Sequence, residues 1–152
     1  MEIKLKGLTY ENFKGAKKTT FTFKNAIHTI AGDNKKGKTR TYDALLWLLF
    51  DKDSTGKKDF AIKPLDENNK VINKLTVSVS ADIDFNGNVV ELKKDYKEKW
   101  TKQRGSEFSQ LTGHTTDYFF DGVPKTKKEF VDKVALIINE DLFRLITDIF
   151  FF

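Results

Sequence analysis

The sequence predicts an α/β domain, with a mixed α+β arrangement as its variant: a strand-rich sheet flanked by helices. Three observations carry that expectation. Apolar residues alternate with polar ones in residues 3–23 and again between Leu75 and Phe85. A segment apolar on nearly every side, Ala44 to Phe50, follows a glycine-containing loop. A 3.6-residue apolar period then runs from Lys127 to Ile138.

In chain order, Ile3, Leu5 and Leu8 stand among polar residues, Phe13 follows, and TTFTF from Thr19 to Phe23 alternates again. These read as short half-buried strands with FKG near their turn. AIHTIAG, Ala26 to Gly32, is a compact apolar strand candidate running directly into the glycine-containing loop. Beyond Lys38, Tyr42, Leu45, Leu46 and Leu49 recur at helical spacing, and Ala44, Trp47, Leu48 and Phe50 fill most of the remaining circumference. The spacing predicts a helix buried on several sides. DKDSTGKKD is a polar turn region punctuated by Gly56. The alternation from Leu75 to Phe85, a turn around Asn86 to Asn88, and GNVVELKKDY predict a strand hairpin.

The stretch KEKWTKQRGSEFSQLTGHTTDYFFDGVP has few helical repeats and two glycine interruptions. It reads as a surface excursion, then a short strand around YFF and a turn at DGVP. In the helix expected from Lys127 to Ile138, Phe130, Val134, Ile137 and Ile138 form the apolar face, widened by Val131 and Ala135. Asn139 interrupts it before a shorter segment with Leu142, Leu145 and Ile146. The terminal DIFFF, Asp148 to Phe152, suits either a folded-back core edge or a contact with a partner. With no internal repeat or low-complexity linker, residues 1–152 read as one lobe.

Composition narrows the function. A chain of 152 residues can bury roughly two-thirds of its unfolded surface. Fourteen phenylalanines supply core material, while 32% charged residues argue against a disordered or a membrane chain. The absence of cysteine excludes a disulfide framework, thiolate catalysis and cysteine-based metal sites, and fits a cytoplasmic protein. No signal-peptide pattern opens the chain, and Ala44 to Phe50 is far short of the roughly 20 residues a membrane span needs. The net charge of +5 allows attraction to nucleic acid or to an acidic protein, without placing the charges on one face.

The most specific signal is the loop GDNKKGKT. Gly32, Gly37, Lys38 and Thr39 match G-x-x-x-x-G-K-[ST] in full. In a strand-loop-helix setting the loop amides cradle phosphate oxygens, Lys38 reaches the β- and γ-phosphates, and the Thr39 hydroxyl coordinates magnesium.

With these residues in view, LTYENFKGAKKTTFTF, IHTIAGDNKKGKT and YDALLWLLFDKDSTGKKDF resemble the amino-terminal lobe of an ABC-type ATPase head of the RecF-like, chromosome-maintenance and DNA-repair class. The resemblance implies a P-loop NTPase-like lobe, ATP with Mg as cofactors, and contact with another head. It gives the loop asparagine as Asn34, the lysine as Lys38 and the magnesium ligand as Thr39. Gly32, Lys35, Lys36 and Gly37 complete the phosphate-loop set, and Lys14 and Arg40 become contacts for phosphate or a partner.

Two departures weigh against turnover. Related heads have glycine after the loop asparagine, where this chain has Lys35 and then Lys36. If that site needs a left-handed backbone, a lysine there costs roughly 1–2 kcal/mol. The resemblance also implies a strand ending in an aspartate-glutamate pair and a serine-glycine signature, and neither appears after Lys99. Glu140 and Asp141 precede an apolar segment and fit the start of a helix. No catalytic residue is assigned, because phosphoryl transfer needs an aligned water as well as phosphate contact.

Elsewhere, KKDYKEKWTKQR from Lys93 to Arg104 carries six basic residues around Tyr96 and Trp100. It suits phosphate contact with base stacking, or a charged hairpin whose aromatics pack inward. His28 and His114 are too few and too far apart to announce a metal centre. The expected function is a nucleotide-binding, partner-interacting ATPase-like lobe, catalytically incomplete alone, whose partner is another protein or a second copy. The alternatives are a non-enzymatic inhibitor or adaptor of a bacterial or phage-related complex, and a nucleic-acid-binding module.

Overall fold

The computed structural model describes residues 3–15, 18–22, 35–53, 55–56, 62–63, 66–68, 70–85 and 87–138; for residues 3–4 and 35–39 it describes the backbone alone. In chain order these residues form β1 (Ile3–Glu11), a single 3₁₀ turn (Phe13–Gly15), β2 (Thr19–Thr22), α1 (Lys35–Phe50), β3 (Val77–Phe85), β4 (Asn88–Lys102), β5 (Ser109–Phe120), β6 (Val123–Lys125) and α2 (Lys127–Ile137). The strands make one sheet in the order β2-β1-β3-β4-β5-β6, with every neighbouring pair antiparallel.

Period-two alternation gives the sheet one apolar face. Leu8 and Tyr10 of β1, Val77, Val79, Ala81 and Ile83 of β3, and Leu92 of β4 are buried, and they belong to one core with Leu45, Trp47, Leu48 and Leu49 of α1 and Phe130 and Val134 of α2. Ser78, Ser80, Asp82, Glu91 and Lys93 fall on the alternate positions of β3 and β4, the polar face usual for a half-covered antiparallel sheet. From Thr41 to Leu49 every residue of α1 is buried, as its all-round apolar pattern predicts. α2 starts on Thr126, whose hydroxyl accepts from the amide of Glu129 at 3.2 Å and so satisfies one orphan donor of the first turn.

The hairpin of β3 and β4, the strands around FKG and both helices stand where the sequence predicts them. One stretch does not. In place of a surface excursion and a short strand, β4 and β5 pair from Lys102↔Ser109 to Leu92↔Phe120. The last pair between β3 and β4 is Val77↔Tyr96, so the far part of this hairpin extends beyond β3. The reason lies in which residues face inward. Leu92, Lys94, Tyr96, Glu98 and Trp100 share one face of β4, and the two charges among them disguise a regular alternation. The turn into β6 follows expectation: Asp121 and Gly122 both have positive φ (53° and 80°), which a two-residue type I′ loop requires.

The strand candidate Ala26 to Gly32, Glu140 with Asp141, the segment around Leu142, Leu145 and Ile146, and the DIFFF end lie outside the described residues.

Candidate functional site

The phosphate motif is split by the description. Gly32 and Asn34 lie outside the described residues, as does His28, while Lys35, Lys36, Gly37, Lys38 and Thr39 occupy the opening turns of α1. The helical backbone at Lys35 and Lys36 replaces the left-handed conformation whose cost the sequence raised. A helix start leaves its first amides without intrahelical acceptors and carries a partial positive charge, and the backbone of Gly37 and Lys38 lies in that first turn. By donor chemistry alone, the lysine ammonium and threonine hydroxyl that the sequence supplies at positions 38 and 39 are groups that a magnesium-bound triphosphate would use.

Just beyond the motif, α1 is tied to the first strand and its turn. The Tyr10 hydroxyl lies 3.0 Å from Thr41 Oγ1 in the buried interior. Lys14 Nζ donates to Asp43 Oδ2 at 2.6 Å; the lysine side chain is 30% exposed and the aspartate side chain 2%. Lys14 is held from its backbone too, with φ of 50° and its amide donating to the Ile62 carbonyl at 2.7 Å. The basic residue expected to meet phosphate or a partner thus neutralises a buried carboxylate on the phosphate-loop helix. Sequence reasoning missed Asp43, although a carboxylate within an otherwise apolar helical run was its visible signal. Arg40, the other proposed contact, sits half-buried on α1.

A second charged group closes the other end of α1. Lys94 of β4 is buried, and its Nζ donates to the Trp47 carbonyl at 2.6 Å and to Asp51 Oδ1 at 3.2 Å. It also lies 4.9 Å from the Trp47 ring centroid and 5.5 Å from that of Tyr118. Burial dominates its protonation, bringing its pKa down to about 8 against the opposing pull of Asp51.

On the hairpin, Glu98 accepts from Lys63 Nζ (2.8 Å), the Lys74 amide (2.9 Å) and Trp100 Nε1 (2.7 Å). Burial is the largest single influence on this carboxyl and pushes its pKa up. The hydrogen bonds together with the Lys63 charge outweigh it and hold the pKa below the ordinary value. Tyr96 stacks on His114 with centroids 4.9 Å apart and sets its edge against Trp47. Burial lowers the His114 pKa, with the Lys63 charge adding to the effect. Tyr96 and Trp100 are thus engaged within the hairpin, which favours the charged-hairpin reading of this basic run over base stacking. Among the described residues no group of histidines and carboxylates is placed to hold a metal, and no helix is long and apolar enough to cross a membrane.

Comparison with known proteins places this geometry. The structure of the recombination mediator protein RecF-ATP in the RecFOR pathway superposes with a TM-score of 0.60 at 18% identity, covering 85% of this chain and 30% of that one. The RecF-ATPrS structure gives a TM-score of 0.57 at 18% identity, over 84% of this chain and 29% of that one. At this identity the likeness is one of fold, and the chain spans about 30% of the length of the RecF chain. No curated protein matches the sequence. The family described as AAA domain matches residues 7–151, from the first strand to the last residues of the chain, and the protein belongs to that family.

Proposed function

We propose that this protein is a nucleotide-binding lobe of the ATPase-head type that holds Mg-ATP by its phosphate end and depends on elements outside residues 1–152 for hydrolysis. What supports the reading is a phosphate-loop motif complete in the sequence, whose Gly37, Lys38 and Thr39 fall in the opening turns of a helix whose flank is tied to the first strand and its turn. Membership of the AAA domain family and the fold shared with RecF, a protein solved as RecF-ATP, support it. Bound Mg-ATP would supply the reactive phosphoryl group. This chain's own residues bind and orient it, through the amides of the α1 start, the Lys38 charge and the Thr39 hydroxyl. The sequence from Lys99 to Phe152 offers no strand ending in paired acids to position a water, so elements outside these residues would complete the reaction.

Equilibrium titration with Mg-ATP tests the site. The parent is expected to bind, Lys38→Ala to lose at least about tenfold in affinity, and Thr39→Ala to lose the magnesium dependence. Equal affinity in all three would remove the site. Turnover by the isolated chain that disappears in Lys38→Ala would keep the site and refute its incompleteness.

A further inference from the structure

At the end of α1 opposite the phosphate motif the surface opens into a cleft of about 290 Å³. Leu49 and Phe50 of α1 and Phe130, Val131, Val134 and Ile138 from the second helical segment form its walls. Lys94, Lys127 and Asp51 set its charge, with Tyr118 beside them.

Three features of this cleft point to a ligand. First, the apolar stripe of α2 is wider than the core needs. Phe130 and Val134 are buried, whereas Val131 is 49% exposed and Ala135 is also exposed, both lining the opening. A stripe that broad matches a helix covered on two sides. Second, the polar rim is unbalanced: two lysines face one aspartate, and Lys127 is near enough to Lys94 for their charges to oppose each other. An incoming carboxylate would relieve that repulsion. Third, the volume lies at the lower bound of small-molecule pockets, roughly 300–1,000 Å³. It suits a few side chains of a segment whose remainder lies outside the opening.

We propose that this cleft docks an acidic amphipathic segment of a partner protein, its leucine-like side chains against Val131 and Ala135 and a carboxylate at Lys127. This is a helix-in-groove contact with charge fixing the register. None of these residues belongs to the phosphate site, so the outcome is separable from the Mg-ATP titration.

The probe is a fluorescein-labelled peptide with leucines at i, i+3, i+4 and i+7 and glutamates between them, beside its glutamine counterpart, titrated into the full chain by anisotropy. The glutamate peptide is expected to bind about tenfold tighter than the glutamine one. Lys127→Glu and Val131→Asp should each weaken it about tenfold with the melting temperature unchanged, while Lys102→Glu on the distant hairpin leaves it unaltered. No binding by the parent, equal binding of both peptides, or an equal loss in Lys102→Glu would overturn the proposal. So would peptide binding that appears only when Glu140→Lys and Asp141→Lys are combined, because the cleft would then belong to the chain's own following segment. Self-association on sedimentation, abolished by Lys127→Glu and by free peptide, would assign the cleft to a second copy and overturn the partner assignment likewise.

Discussion

The two sides of α1 solve one electrostatic problem with opposite choices of which charge to bury. Near the phosphate motif the carboxylate is buried and its cation half-open: Asp43 is 2% exposed and Lys14 30%. At the far end the ammonium is buried and its anion half-open, with Lys94 at 3% and Asp51 at 47%. A buried ammonium suits the second position, because the last carbonyls of a helix carry its negative pole and the Trp47 carbonyl accepts from Lys94 directly. The pairs also differ in what each would leave behind if broken. Loss of Lys14 strips a cation from a buried anion, whereas loss of Lys94 leaves an aspartate that water already reaches.

That asymmetry sets the largest expected effect. Lys14→Met keeps most of the side-chain stem and removes the charge beside Asp43, so urea unfolding should show a loss of about 2–3 kcal/mol with an unchanged slope. A loss under about 0.5 kcal/mol, the range of ordinary surface substitutions, would show that this pair does not hold the turn to α1.

Glu98 extends the comparison to a buried acid far from either end of a helix. Glu98→Gln keeps the shape but weakens acceptance from Lys63 and Trp100, for an expected loss of about 1–2 kcal/mol by the same measurement. The pH dependence has a definite sign. The folded pKa lies below the unfolded one, so the contribution is present above the unfolded carboxylate range and lost as pH falls through the folded value. Acid titration of stability should therefore be shallower in Glu98→Gln; an identical acid limb would remove Glu98 from the account.

These pairs mark the line between what the sequence shows and what only the fold reveals. Both helices were legible because each repeats apolar residues along one chain segment, as Tyr42, Leu45, Leu46 and Leu49 do. The phosphate motif was legible because its spacing is local. Lys14 and Asp43 meet across 29 residues of sequence, and no local pattern announces such a pair. Lys94 sits in a basic run and reads as surface; its burial comes from a helix end that packs on β4 from 47 residues away. The same cause hid the length of the hairpin of β4 and β5, since charged residues at inward positions look like loop until their partners are in place.

Lys94 carries the next prediction, with the sign reversed. Lys94→Met exchanges a desolvated charge for a side chain of similar length and is expected to raise stability by about 1 kcal/mol at neutral pH. The folded pKa of about 8 lies below the ordinary 10.5, so the cost of keeping this lysine charged is fully present below pH 8 and is relieved as pH rises toward 10.5. The gap between Lys94→Met and the parent should accordingly narrow over that window in melting temperatures taken stepwise through it. A variant less stable than the parent at every pH would mean that the bond to the Trp47 carbonyl outweighs desolvation, and the contrast with Lys14 would fail.

The smallest effect is expected where neither partner is buried. Lys97 and Asp117 meet across β4 and β5 at 2.9 Å, with each side chain 45% exposed. The Asp117 hydrogen bond and charge raise the Lys97 pKa, yet water competes for both groups and ordering two mobile side chains offsets the attraction. Lys97→Gln should leave the melting temperature where it is, and salt near ~1 M, where the screening length falls to about 3 Å, should not separate it from the parent. Asp95 sharpens the test, because it lies directly opposite Asp117 in the register and its charge also acts on Lys97. If Lys97→Gln proves clearly destabilising at low salt and recovers at high salt, the lysine is screening Asp95 from Asp117. Exposure alone would then fail to rank the ion pairs of this protein, and the contrast between the two ends of α1 would need each carboxylate's neighbours counted as well as its burial.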